Sequence, residues 1–213
     1  MEKNESMTSE QRHGMIEEII KTEWDMFQHV NNIGGRASCQ DDWETFHIMR
    51  TSQYENWTDD LLTTYQEFLQ KSEREGRNLV AEKYGRMMKY TEPDYFKEMI
   101  EPYVPAVSEE ASRTIDEIIS IILPWEIEFC RMYPKLGMAG RPVLAAGDAS
   151  GFTSVETYAR GEMETYPEHI LKMYLAYMEQ LQTEGKSISV MDREVMTRLY
   201  GYTSIADAEA SIR

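Results

Sequence analysis

GGRASCQDDWETFHIMRTSQYENW, running from Gly34 to Trp57, places a glycine turn directly before a helix that opens on acid and carries an arginine in its apolar stripe. Gly34 and Gly35 suit the left-handed backbone that ends one helix and redirects the chain. Asp41 or Asp42 can accept the unpaired amide hydrogens of the following helix's first turn, where a carboxylate also meets the positive end of the dipole. Asp42, Phe46, Arg50 and Gln53 then fall at i, i+4, i+8 and i+11, which is one face of an α-helix. The stretch reads as helix, turn, capped helix, and the chain on either side follows the same grammar.

Upstream, Ile16, Ile20, Trp24, Phe27 and Val30 repeat at helical spacing, so a helix is expected over residues 15–30, ended by Asn31-Asn32 and Gly34-Gly35. Downstream, Thr58 opens a helix with Leu61, Leu62, Tyr65, Phe68 and Leu69 inward, and Gly76 stops it. Leu79 to Tyr90 follows, then a short restart at Thr91 and Pro93. Glu101-Pro-Tyr-Val-Pro105 reads as a rigid extended connector, because each proline disfavours helix in the residue before it. A long helix is expected from Ser108 to about Met132, kinked at Pro124. A Gly- and Ala-rich loop over Pro134–Gly151 precedes helices near 153–166, 167–184 and 190–200 and a last turn from Ser204. No segment alternates as a strand does, so the fold class is all-α, with about ten helices in one compact domain.

The halves of the chain resemble each other in order. Ile16-Glu-Glu-Ile-Ile20 parallels Ile115-Asp-Glu-Ile-Ile119, with Trp24 and Phe27 answered by Trp125 and Phe129. Gly35-Arg36 parallels Gly140-Arg141, Glu44-Thr-Phe46 parallels Glu156-Thr-Tyr158, and Arg50 is matched with Arg160. Glu75-Gly-Arg-Asn-Leu79 parallels Glu184-Gly-Lys-Ser-Ile188. Amphipathic helices resemble one another by pattern alone, but the Gly-Arg and Glu-Gly-basic matches fall in loops, where periodicity explains nothing. The expected organisation is a disordered lead-in over residues 1–14, a first half over 15–107 and a second over 108–213. Two five-helix halves would share one core, with a pocket between them.

The runs GGRASCQDDWETFHIMRTSQ, EGRNL and EKYGRMM, with GRP, ETYARGE and YGY in the second half, resemble the bacterial domain-of-unknown-function family numbered 4125. The resemblance covers essentially the whole chain after the polar N-terminus. It implies a small cytoplasmic bacterial protein and carries over no activity, cofactor or site.

Composition narrows the partners. Over 213 residues, 41% hydrophobic and 28% charged, the chain can bury a real core. A net charge of −16 disfavours nucleic acid and an anionic membrane surface. Two cysteines, Cys39 and Cys130, without disulfide-like spacing suit a reducing cytoplasm. The sequence names no cofactor and no oligomeric state.

Candidate chemistry concentrates where the copies differ. Cys39, near Arg36 and a helix start, is a possible nucleophile with Asp41 and Asp42 as acid–base partners and His47 as the nearest base. The plainer fate of Cys39 is a small buried hydrophobe. Arg36, Ser38, Gln40, Arg50 and Gln53 form the candidate ligand-binding set for a small anionic or zwitterionic metabolite, although Arg36 and Arg50 recur in the second half as Arg141 and Arg160, which points to framework duty for those two. The structural alternative pairs Arg50 with Asp42 or with a glutamate of the first helix. Lys83 and Arg86 are expected on a solvated face, the alternative being that they add to the same pocket. Glu44-x-x-His47 has metal-ligand spacing once, with no partner copy, so no metal site is assigned. Three functions therefore stand: a metabolite-binding protein that transforms its ligand or merely holds it, an interaction scaffold whose polar cluster is structural, and a Cys39-dependent thiol enzyme.

Overall fold

The computed structural model describes residues 7–31, 35–149 and 152–213. Eleven α-helices occur among them, and no strand, only an isolated bridge between Ala149 and Phe152. The helices are α1 (Ser9–Gln28), α2 (Trp43–Tyr54), α3 (Asp59–Arg74), α4 (Leu79–Thr91), α5 (Pro93–Tyr95), α6 (Glu109–Met132), α7 (Pro134–Ala139), α8 (Val155–Met163), α9 (Glu168–Thr183), α10 (Ile188–Leu199) and α11 (Ile205–Ser211). The all-α class read from periodicity is the observed one.

Helix ends follow the capping chemistry of the sequence. Asp42, Thr58, Asn78, Ser108, Ser154, Ser187 and Ser204 each accept a backbone amide hydrogen in the first turn of their helix. Gly76 and Gly185, at φ 73° and 68°, end α3 and α9 in the same way. Arg77 N donates to Ser72 O at 2.8 Å and Lys186 N to Leu181 O at 2.9 Å, the wide backbone bond of a Schellman ending.

Three expectations are corrected. The polar lead-in does not extend to residue 14: α1 begins at Ser9, because Thr8 and Gln11 form a capping box and Arg12 binds the carbonyls of Tyr54, Glu55 and Trp57. Residues 1–6 of that lead-in lie outside the described residues. The Gly- and Ala-rich loop opens with a helix, α7, started by Pro134 at its first position, where a missing amide hydrogen costs nothing. The connector Glu101–Pro105 is not extended throughout, since Glu101–Tyr103 forms a 3-10 turn before the chain straightens at Val104, and a π turn over Phe96–Ile100 leads into it. Helix α6 continues through Pro124 to Met132.

Helix α1 packs against α2, α3 and α4, and α6 packs against α8, α9 and α10. Across these two sets α2 lies on α10, α4 on α8 and α3 on α9. One core joins them: Ile19, Ile20, Leu62, Ile118, Ile170, Leu171 and Met178 are wholly buried. Each such side chain contributes about 1.5–3 kcal/mol by leaving water. The α4–α8 crossing is the tight one. A Cβ on Gly161 would lie 2.6 Å from Met87 Cγ and 3.0 Å from Lys83 O, so only glycine lets α4 come this close.

Candidate functional site

The Gly35–Asp42 turn ties itself to the end of α1. Gln40 is almost fully buried, donating from Nε2 to Phe27 O at 2.8 Å and Val30 O at 3.1 Å, while its Oε1 accepts from Ala37 N. Phe27 O near the end of α1 also accepts from Val30 N at 3.2 Å, so the Gln40 amide adds a second donor at the helix end where the asparagines and glycines were expected to act. Asn32 and Gly34, named for that role, lie outside the described residues. Arg36 donates to Asp41 Oδ1 at 2.9 Å, Gln28 Oε1 at 2.5 Å and Gln40 O at 2.8 Å. Asp42 caps α2 through Thr45 N at 3.0 Å, which holds its carboxyl below the usual range. Ser38 and Cys39 are exposed, and Cys39 is a free thiol. His47, the base that a thiol nucleophile would need, stands 2.7 Å from Glu17. Arg36 and Gln40 border an open depression of about 180 Å3 with Gln28, Val30, Asn31 and Gly35.

Arg50 and Gln53 belong to a different place, the seam where α1, α2, α4 and α8 meet. Arg50 Nη1 donates to Glu162 Oε1 at 2.8 Å and to Gln53 Oε1 at 2.9 Å, and its Nε lies 3.0 Å from Glu23 Oε2. Lys83 Nζ donates to the other oxygen of Glu162 at 2.5 Å. Tyr54 and Tyr65 both donate to Glu23 Oε1 at 2.6 Å, and Tyr166 donates to Glu162 Oε1 at 3.1 Å. Glu23 is 1% exposed, Lys83 2% and Arg50 7%. Two carboxylates and two cations are thus buried together with three phenols aimed at the carboxylates.

The electrostatics close within the cluster. Burial alone would raise the Glu162 pKa, but Arg50 and Lys83 outweigh it and hold the carboxyl far below the usual range. Burial would likewise lower Arg50, and Glu162 and Glu23 push it well above its ordinary value. Burial and then the adjacent glutamates raise Tyr54 and Tyr65, so both remain protonated donors. Tyr158 goes the other way: burial opposes ionisation, yet Lys83, 3.5 Å above its ring centroid, and Arg50 bring its pKa down. Arg141 stacks on the same ring at 4.9 Å. The cavity bounded by Glu23, Arg50, Tyr65, Lys83, Glu162 and Tyr166 measures about 10 Å3. That is about the size of one water molecule.

Arg50 is therefore paired as the structural alternative required, with Glu23 of the first helix, and also with a residue the sequence reasoning did not name. Asp42 caps α2 and Ser154 caps α8, and Arg50 and Glu162 each stand eight residues beyond their cap. The repeat matched Arg50 with Arg160 by residue type. Counting from the caps pairs it with Glu162, a charge reversal at one helical position. Arg160 instead reaches Asp116 at 2.6 Å and Glu156 at 3.2 Å on the rim. Lys83 and Arg86 are corrected from a solvated face to the interior, because Gly161 draws α4 onto α8. Among the described residues no group of three or more His, Cys, Asp or Glu could hold a metal ion. No helix of those residues is long and apolar enough to cross a membrane.

A second polar cluster lies where α2 ends against α10. Asn56 Nδ2 donates to Asp192 Oδ1 at 2.8 Å, and Tyr177 donates to Asn56 O at 2.5 Å. Burial pushes the Asp192 carboxyl up to about 8, against the pull of Asn56 and Arg193. Arg193 itself grips Glu126 with both Nη atoms at 2.9 Å.

A family model described as a protein of unknown function, DUF4125, matches residues 13–210. The chain belongs to that family. No curated protein and no solved structure matches it. The DUF4125 match spans Glu23, Arg50, Lys83 and Glu162 as well as the Gly35–Asp42 turn, so both polar networks lie inside the family domain.

Proposed function

We propose that the protein is an interaction module of the cytoplasm, a rigid helical body whose charged core locks two related halves in one register. The observation that carries this reading is the composition of the seam. Glu23 and Glu162 neutralise Arg50 and Lys83, Tyr54 and Tyr65 donate to Glu23 Oε1 and Tyr166 to Glu162 Oε1, and about 10 Å3 is left over. In this seam each charge faces an opposite one, which ties α1 and α2 to α4 and α8 and leaves none of the four over to recognise a metabolite. The reciprocal packing of α2 on α10 and α4 on α8, with matching glycine endings at Gly76 and Gly185, supports the two halves, 15–107 and 108–213. Free thiols at Cys39 and Cys130 fit a reducing compartment.

The test is a thermal-shift screen at 1 mM with carboxylate, phosphate and amino-acid metabolites. No ligand is expected to raise the Tm by more than about 1 °C, which corresponds to a Kd of about 1 mM or weaker. A shift that Arg50→Met abolishes, measured against that variant's own baseline, would overturn the reading.

A small anionic or zwitterionic ligand is the second reading, and the open 180 Å3 depression beside Arg36 and Gln40 favours it. It predicts a shift that Arg36→Ala removes while Arg50→Met leaves it in place. The thiol-enzyme reading rests on the exposure of Cys39 and predicts alkylation of Cys39 well ahead of the half-buried Cys130.

A further inference from the structure

The segment between α4 and α6 is held firmly from below and left bare above. Phe96 is buried, and Ile100 sits so close to α4 that a Cβ on Gly85 would meet its Cγ2 at 2.9 Å. Pro105 O accepts from Arg86 Nη2 at 2.7 Å, and the guanidinium of Arg86 is almost fully buried. Above these anchors Tyr95, Met99 and Tyr103 recur every four residues and are 37%, 53% and 83% exposed. Tyr95 and Met99 are about one turn apart across the π turn, and Tyr103 follows in the 3-10 turn. Asp94, Glu98 and Glu101 are exposed alongside them, with Lys97 the single cation among residues 93–103. The backbone beneath is a π turn over Phe96–Ile100, a rare geometry that is frequent at functional sites.

We propose that this face, Tyr95, Met99 and Tyr103 flanked by Asp94, Glu98 and Glu101, docks a basic amphipathic helix of a partner protein. The proposal rests on the interaction-module reading above and names its surface and its partner class. Tyrosine and methionine offer large apolar contact, and methionine adapts its shape to the side chain it meets. The carboxylates beside them select a partner whose apolar stripe is bordered by Lys and Arg, and exclude partners bordered by acid. A second copy of this chain is excluded on the same ground, because it would bring three carboxylates against three. An anionic membrane is disfavoured likewise by a chain of net charge −16. The anchors at Phe96, Ile100 and Pro105 hold the face ready, so little ordering is required when the partner arrives.

The test is fluorescence anisotropy of the full-length protein with a labelled 18-residue amphipathic helix of leucine and lysine, at 150 mM salt. The expected result is saturable binding that weakens at least tenfold in Met99→Ser/Tyr103→Ser. It should weaken by a similar factor in Asp94→Asn/Glu98→Gln/Glu101→Gln. Glu67→Gln/Glu73→Gln/Glu179→Gln removes the same charge from exposed positions on α3 and α9 and should change binding less than twofold. All six residues of the docking face are exposed, so circular dichroism of the variants should match the parent. Equal weakening by the two charge-removing triples would mean nonspecific attraction and overturn the proposal, as would no binding by the parent. Binding to phosphatidylglycerol vesicles that Met99→Ser/Tyr103→Ser abolishes would reassign the face to a membrane and overturn it as well. None of these failures bears on the charged core, whose role the metabolite screen tests separately.

Discussion

Replacing Glu162 with glutamine keeps the shape of the side chain and removes one negative charge from the seam. Arg50 and Lys83 are then two buried cations facing Glu23 alone. Glu162 makes two charge-assisted contacts, 2.8 Å to Arg50 and 2.5 Å to Lys83. At about 1.5–3 kcal/mol each these sum to about 3–6 kcal/mol. Removing one partner of a buried pair costs about 3–5 kcal/mol. The two routes agree, and about 4 kcal/mol is a large share of the ~5–15 kcal/mol that stabilises a typical domain. Urea denaturation should show a lowered midpoint, and the Tm should fall by roughly 8–16 °C for a chain of this length. The double variant Glu162→Gln/Lys83→Met leaves Arg50 against Glu23 and restores neutrality, so it should be more stable than the sum of the single effects by about 1.5 kcal/mol or more. A loss below about 1 kcal/mol in Glu162→Gln, or strict additivity in the double variant, would refute the picture of a charge-balanced lock.

Three further outcomes follow from other residues. Gly161→Ala should destabilise by about 1–3 kcal/mol in urea titrations, because the new methyl meets Lys83 O and Met87 in a crossing with no slack. Gln40→Ala should cost about 1–3 kcal/mol by removing its two hydrogen bonds to Phe27 O and Val30 O, at about 0.5–1.5 kcal/mol each, and hydrogen exchange at the end of α1 should rise first. The pH profile should slope on both sides. Glu162, depressed in the folded state, contributes stability that is present above its unfolded pKa and is lost as pH falls. Asp192 has the opposite sign: raised from 3.8 to about 8, it binds a proton in the folded state that the unfolded chain has released. Stability should therefore decline as pH rises from about 4 toward 8, by at most about 1.4 kcal/mol per unit. Asp192→Asn should flatten that alkaline slope and leave the acid side unchanged.

The helices were legible because their signals are local. Stripes such as Leu61, Leu62, Tyr65 and Leu69, and caps such as Thr58 and Ser108, act within a few residues of themselves. Thr8 with Gln11 is an equally local capping box, and it was hidden only by the polar character of everything around it. The core network was half legible. An arginine in line with Phe46 had to be paired, and Glu23 was within the set considered. Its second partner, Glu162, lies 112 residues away, and no periodicity reports on a contact at that separation. Lys83 shows the same limit from the other side. A lysine two residues before a glycine reads as surface until Gly161 of another helix brings α8 against it. Gln40 enters the candidate set because only the first half carries it at this turn, and its Nε2 donates to the carbonyls of Phe27 and Val30, a contact across 13 and 10 residues that no local pattern reports.

The distance between Lys83 and Glu162 has a consequence for how the chain is made. During synthesis the first half emerges carrying Glu23, Arg50 and Lys83, a set with one cation in excess. Glu162 follows 79 residues after Lys83, roughly 4 to 16 s later at ~5–20 residues per second. Until it arrives, closing the interior around Lys83 would bury an uncompensated ammonium, which is costly. The Lys83–Glu162 pair can form only after the second half has emerged, so neutralising this part of the interior waits on residues made well after α4.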